Sequence, residues 1–304
     1  MLSISTSWNY KPDMDFSVWL DEVQGAGIKA VELGYSLKRV QLEALIPLLE
    51  ERGMAITSLH NFCPLPDDGP SPRHGSNYYR LSSLDEEERK RAVIWTQKAI
   101  DTAQRVKAPV VIVHAGTIEL NDDSEKKFLS LYREGKKGTK DFEEEKDRLL
   151  KKRKELKSAY LEAVEKSFEE IMPYAQERNI KIGLENRYYP VEIPNYEEIG
   201  CFLNRFSPKG MFYWHDVGHA EMYERLTLTN QIDFLKSYED KLIGIHLHGF
   251  DAIKDHLVPF AGDMDLLKIK PFLKDNIVKV IESHYGTPQQ MEEAVRRLKE
   301  LSSS

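Results

Sequence analysis

The sequence predicts an α/β protein of the (β/α)8 class, a TIM barrel with a charged helical insertion after strand four. Three observations carry this. Eight short segments rich in Val and Ile are apolar at successive positions, the pattern of strands buried on both faces of a parallel sheet. Helical patterns separate them, as repeated βαβ units require. With an insertion at residues 119–157 set aside, eight units in roughly 260 residues match one barrel. A single domain over residues 1–304 follows, with the insertion inside it. An open doubly wound sheet is the alternative, weakened because no Gly-x-Gly-x-x-Gly follows a strand.

The strands are read at Leu2 to Thr6, Ala30 to Tyr35, Ala55 to His60 and Pro109 to Gly116. Ile180 to Asn186, Met211 to Asp216, Leu242 to Gly249 and Ile277 to His284 complete the series. Helices are expected at Asp15 to Gln24, Val40 to Arg52, Asp85 to Val106, Tyr196 to Asn204, Asn230 to Ser237, Leu266 to Leu273 and Pro288 to Leu301. A long helix from about Asp141 to Gln176 spans the end of the insertion, preceded by a break at Gly135 and Gly138. Phe142, Leu149 and Leu156 recur every seven residues on it, and Tyr160, Val164, Phe168 and Ile171 continue the apolar stripe. Its second half is expected to pack on the barrel, whereas its first half has no evident partner.

The chain has 304 residues and a formal net charge of −7, which argues against general nucleic-acid or lipid-headgroup binding. Two cysteines, Cys63 and Cys201, exclude a disulfide scaffold and a multi-cysteine zinc site. No apolar run reaches the ~20 residues of a membrane span, and no basic-then-apolar leader opens the sequence, so a cytoplasmic protein is expected.

The chemistry is legible at the strand ends, where barrels carry their catalytic groups. Glu32, His60, His114, Glu185, Asp216, His246 and Glu282 close successive strands. Unpaired, each would cost several kcal/mol on burial; converging on a metal ion satisfies them together. Glu185, Asp216, His246 and Glu282 suit Mn²⁺, Mg²⁺, Co²⁺ or Zn²⁺. His248 lies on the same side of its strand as His246, His219 falls in the loop after Asp216, and His256 follows in "KDHLVPFAGD". With His60, His114 and Glu32 these are candidates for further metal or substrate contacts. Arg187, Trp8 and Tyr188 are expected to bind substrate, with Tyr189, Tyr78, Tyr79 and Arg80 as further lining candidates. Arg187 suits a phosphate or carboxylate, and the aromatic faces suit sugar C–H groups.

Taken together, "VELGY", "SLH", "APVVIVHAG", "IGLEN", "HDVGHA", "IHLHGFD", "DHLVPFAGDMD" and "VIESHYGTPQQMEEAVRRL" resemble the xylose isomerase-like TIM-barrel superfamily over nearly the whole chain outside the insertion. That group includes sugar and inositol-pathway isomerases, epimerases and dehydratases, and the apurinic endonucleases of family two. The resemblance implies that Glu185, Asp216, His246 and Glu282 bind one divalent ion, that Glu185 and Glu282 exchange a proton beside a carbonyl from opposite faces, and that His219 touches substrate. It implies a small sugar or polyol as substrate, and relatives that form dimers or tetramers. The endonuclease branch uses three zinc ions, and His60, His114, His219 and His256 fall at comparable places. There, however, Lys254 stands where that branch has an Asp. Ketose epimerases carry an Arg soon after the strand-seven His; Asp251, Ala252 and Ile253 stand here instead. A metal-dependent isomerase, epimerase or dehydratase acting through an enediolate is the leading expectation. A multi-zinc phosphodiesterase and a non-enzymatic binding barrel are the alternatives.

Overall fold

Apolar runs too short for helices pair side by side and close on themselves. A computed structural model of the chain describes residues 1–68 and 75–303. Strands β1 (Leu2–Ser5), β2 (Ala30–Leu33), β3 (Ala55–His60), β4 (Val110–Val113), β5 (Lys181–Glu185), β6 (Met211–Asp216), β7 (Leu242–Leu247) and β8 (Val278–Ile281) form one closed barrel. Every neighbouring pair is parallel, and β1 closes the ring against both β2 and β8. The strands match the sequence reading to within a few residues at each end.

Helices α1 (Phe16–Gly25), α2 (Arg39–Glu51), α3 (Glu86–Arg105), α4 (Ser124–Arg133), α5 (Lys140–Glu177), α6 (Tyr196–Phe206), α7 (Val217–Arg225), α8 (Gln231–Tyr238) and α9 (Pro288–Ser303) surround it. Side-chain caps start several of them. Asp15 accepts from the amides of Ser17 and Val18, and Asp85 from those of Glu87 and Glu88. Asn195 and Glu198 form a reciprocal capping box on α6.

Two elements differ from the sequence reading. Asp216 accepts the amide of His219 at 2.7 Å, so α7 begins directly at the end of β6, and His219 sits in its first turn rather than in a loop. The run from Leu266 forms a 3-10 helix to Phe272, where Pro271 has no amide to continue an α-helical ladder. Two short antiparallel ribbons also stand above the strand ends: Gly116–Thr117 with Glu192–Ile193, and Gly249–Asp251 with Lys254–Leu257.

The 38 residues of α5 extend about 57 Å at 1.5 Å per residue. Its first half has partners after all. Phe142 packs against Phe128 of α4 with ring centroids 4.8 Å apart, and Leu149 and Arg153 are buried. Among the described residues, no helix is long and apolar enough to cross a membrane.

Period-two alternation sorts the strand residues. The lower barrel interior is filled by Val110, Ile112, Trp214 and Val280. The Trp214 ring occupies the space beside Gly244, where an added Cβ would lie 2.1 Å from the indole. Gly244→Ala is therefore expected to destabilise the fold by roughly 1–3 kcal/mol through overpacking, read as a lower urea midpoint. A midpoint equal to the unsubstituted protein would show that the indole can move aside.

Candidate active site

The inward-facing parity that places Trp214 below the site places the ionisable residues one step above it. Ile112 is followed two residues later by His114, Gly183 by Glu185, Trp214 by Asp216, Gly244 by His246 and Val280 by Glu282. All five are 0–2 % exposed except the half-buried His114. His215, on the opposite parity, faces outward and lies 2.6 Å from the Tyr213 hydroxyl.

His246 is the hub. Its Nδ1 lies 2.8 Å from Glu185 Oε1, 2.9 Å from Glu282 Oε2 and 3.8 Å from Asp216 Oδ2. Its Nε2 lies 3.1 Å from Glu32 Oε2, which also accepts from the Ser58 hydroxyl at 2.8 Å. Glu32 thus stands behind the imidazole, away from the other three carboxylates. Glu32 is not in the group formed by Glu185, Asp216, His246 and Glu282.

Around Glu185 lies a second set: its Oε2 is 2.5 Å from His114 Nε2 and 3.3 Å from His60 Nε2. A third surrounds Asp216. His248 Nδ1 accepts the amide of His256 at 3.0 Å, which leaves its Nε2 to donate to Asp216, 3.1 Å away. His256 and His284 continue the stack, with centroids 4.3 and 4.2 Å apart along the series from His248. Asn186 ties the set together: its side chain donates to the Asp216 carbonyl and accepts the Asp216 amide, while its own carbonyl faces His219 Nδ1 at 2.9 Å.

Electrostatics follow from this packing. Burial alone would raise the Glu185 carboxyl, but His246 and His114 hold it well below the usual carboxylate range. Burial works the same way on Glu282, which His246 and His256 hold low. Burial likewise opposes, and His219 and His248 outweigh it, for Asp216. Burial would lower His246, yet Glu282, Glu32 and Glu185 drive it well above the usual imidazole range.

Glu185, Asp216, His246 and Glu282 each offer a ligand atom, and these atoms all lie within 4.8 Å of one another. Three more groups meet the same distance: His60, His114 and Glu185; Asp216, His219 and His256; and His256, Glu282 and His284. The donor chemistry fits a divalent cation, since three buried carboxylates converge on one imidazole nitrogen with no Lys or Arg among them.

A cavity of about 310 Å³ opens above these residues, with Tyr35, Arg187, Tyr188, Glu192 and Asp255 on its walls. The Tyr188 hydroxyl donates to the Ile253 carbonyl at 2.6 Å. Trp8 is fully buried and is not part of this wall; the Trp19 indole donates to its carbonyl. Tyr78, Tyr79 and Arg80 also lie off the wall, with Arg80 paired to Glu88 and Glu119. His284, Asp255, Asn186, Tyr35 and Glu192 are among the site residues that the sequence reading did not single out. His284 continues the inward parity of Glu282, which is the signal that would have found it. His74, a histidine for which the sequence offers no partner, lies outside the described residues.

The profile of the family described as "Xylose isomerase-like TIM barrel" matches residues 20–301. No curated protein matches the sequence. Among solved structures, a D-tagatose 3-epimerase-like protein superposes with TM-score 0.65 at 18% identity, covering 99% of this chain and 97% of the other. D-allulose 3-epimerase from Methylomonas sp. gives 0.68 at 13%, covering 98% and 96%. A 3-keto-D-glucoside 4-epimerase from E. coli gives 0.66 at 12%, covering 98% of each. At these identities the likeness is one of fold.

Proposed function

From the premise that the chain belongs to the xylose isomerase-like TIM barrel family, we propose that it is a divalent-metal-dependent isomerase or epimerase of a small sugar or polyol. One observation carries the reading. Two glutamates, Glu185 and Glu282, face the same imidazole nitrogen at 2.8 and 2.9 Å on the floor of a cavity of substrate size. The epimerases of like fold bear sugar names, which agrees with it.

Glu185, Asp216, His246 and Glu282 would hold the ion, and Glu32 would keep His246 turned toward it. The ion, when bound, supplies Lewis-acid polarisation of a carbonyl and its neighbouring hydroxyl. One glutamate takes the proton from the carbon beside the carbonyl, giving an enediolate. The other returns a proton to the opposite face for epimerisation, or the first returns it to the adjacent carbon for isomerisation while the hydroxyl proton passes from one oxygen to the other. His219 and Tyr188 line the approach to this floor.

The test is proton exchange. Protein stripped with chelator and reloaded with Mn²⁺ or Co²⁺ is incubated with ketoses in D₂O. Deuterium is expected at the carbon beside the carbonyl, only with metal, followed by NMR. Metal-loaded protein that exchanges no carbon-bound hydrogen across neutral and acidic sugars would overturn the reading.

A second reading is a multi-metal phosphodiesterase, favoured by the groups around Glu185 and Asp216. It needs a basic track for a phosphate backbone. Of the run Lys151 to Lys154, Arg153 is buried in an ion pair and Lys152 is bound to Asp122. Three ions per chain and cleavage of abasic duplex DNA would establish it; no DNA binding at low salt would dismiss it.

A further inference from the structure

Arg187 has no structural task that accounts for all of its donors. It lies two residues beyond Glu185, so it continues that strand's inward parity, about 7 Å further toward the mouth. It is 4 % exposed and lines the cavity. Its Nη2 donates to Glu192 Oε1 at 2.6 Å, while Nε and Nη1 are buried with no hydrogen-bond partner. Guanidinium is always charged and only donates. A buried donor left unmet costs more than an exposed one, so a fold does not keep two in a cavity wall for packing alone.

The surroundings say what would meet them. Among the described residues of the cavity wall, Arg187 is the only Lys or Arg. Glu192 fixes it from one side and is itself held by the Tyr189 amide at 2.9 Å. The backbone of that loop is clamped from outside, since Arg153 donates to the Pro190 and Glu192 carbonyls at 2.7 and 2.9 Å. The guanidinium is therefore held in place in the cavity wall, with Nε and Nη1 left without a partner. Charged donors of this kind pair best with an oxyanion.

We propose that Arg187 binds an anionic group on the substrate, so that the natural substrate is a short sugar or polyol acid or phosphate, its anion about one strand layer above the carbon that exchanges its proton. This rests on the proposed proton-transfer reading of the floor. Carboxylate and phosphate share the chemistry, and the test separates them.

The Mn²⁺-loaded full chain is titrated by calorimetry with glycerol, glycerate and glycerol phosphate. One anionic probe is expected to bind at least about tenfold more tightly than glycerol, as charge-assisted hydrogen bonds allow; which one does so identifies the group. Arg187→Met is expected to abolish that preference. An anion that sits on the metal instead keeps its preference in Arg187→Met, which overturns the inference, as does equal binding of all three probes by the unsubstituted chain. Thermal melting checks that the variant is folded. Should it not fold, Arg187→Lys is expected to lose most of the preference and Glu192→Gln to strengthen it; unchanged preference in both overturns the inference. Exchange in D₂O separates the two levels. Exchange on neutral ketoses without any anion preference sinks the anion site alone. An Arg187-dependent anion preference without exchange on any sugar sinks the proton-transfer reading and leaves the anion site standing.

Discussion

Glu185→Gln is expected to reduce deuterium exchange by roughly a thousandfold or more, the upper part of the range for losing a general base together with a ligand. The substitution keeps shape and removes charge. Glu185 faces three histidines, with His246, His114 and His60 all within 3.3 Å of its carboxylate. On the proposed reading, neutralising it would take away one proton-transfer group and weaken ion retention at once, so metal content after dialysis should fall with activity. Glu282→Gln is expected to be as inactive, because the second face of the substrate loses its partner. Both proteins should melt cooperatively, since an amide fills the same volume. Full turnover in either variant would sink the mechanism.

The largest stability effect is expected at Arg153. It is 4 % exposed and forks onto Glu198, at 2.6 and 2.7 Å, with two backbone carbonyls completing its donors. Arg153→Met strands the buried Glu198 carboxylate and should cost about 3–5 kcal/mol, measured by denaturant unfolding. Adding Glu198→Gln should recover part of that loss, because the two residues act as one unit. The loop from Arg187 to Asn195 hangs from this contact, so KM should rise in Arg153→Met more than kcat falls. A destabilisation below about 1 kcal/mol would show that the pair merely breaks even.

Much of this was readable beforehand, and particular residues say why. A parallel barrel writes its strands as apolar runs and its site at their ends, so Glu185, Asp216, His246 and Glu282 stood out by position. The place of Glu32 did not, because the sequence cannot tell a carboxylate beside the other three from one behind the His246 ring, beside Nε2. Trp8 misled: an indole near a strand end reads as a wall, but burial decides it. Arg153 gives no such signal, since heptad spacing marks Phe142 and Leu149 and is silent about a buried cation beside them. His219 was assigned to a loop because Val217 and Gly218 suppress a helix signal that Asp216 supplies as a cap.

The indole of Trp214 has a consequence for order of events. Its ring centroid lies 5.1 Å from that of His246, and with Val110, Ile112 and Val280 it plugs the barrel beneath the carboxylates. Among the described residues, the cavity therefore has a closed floor. Whatever rests against Glu185 and Asp216 must arrive before anything that fills the space above, and leaves only after it. On the proposed reading, loading would be sequential, and a bound sugar would act as a stopper, slowing loss of the ion to a chelator.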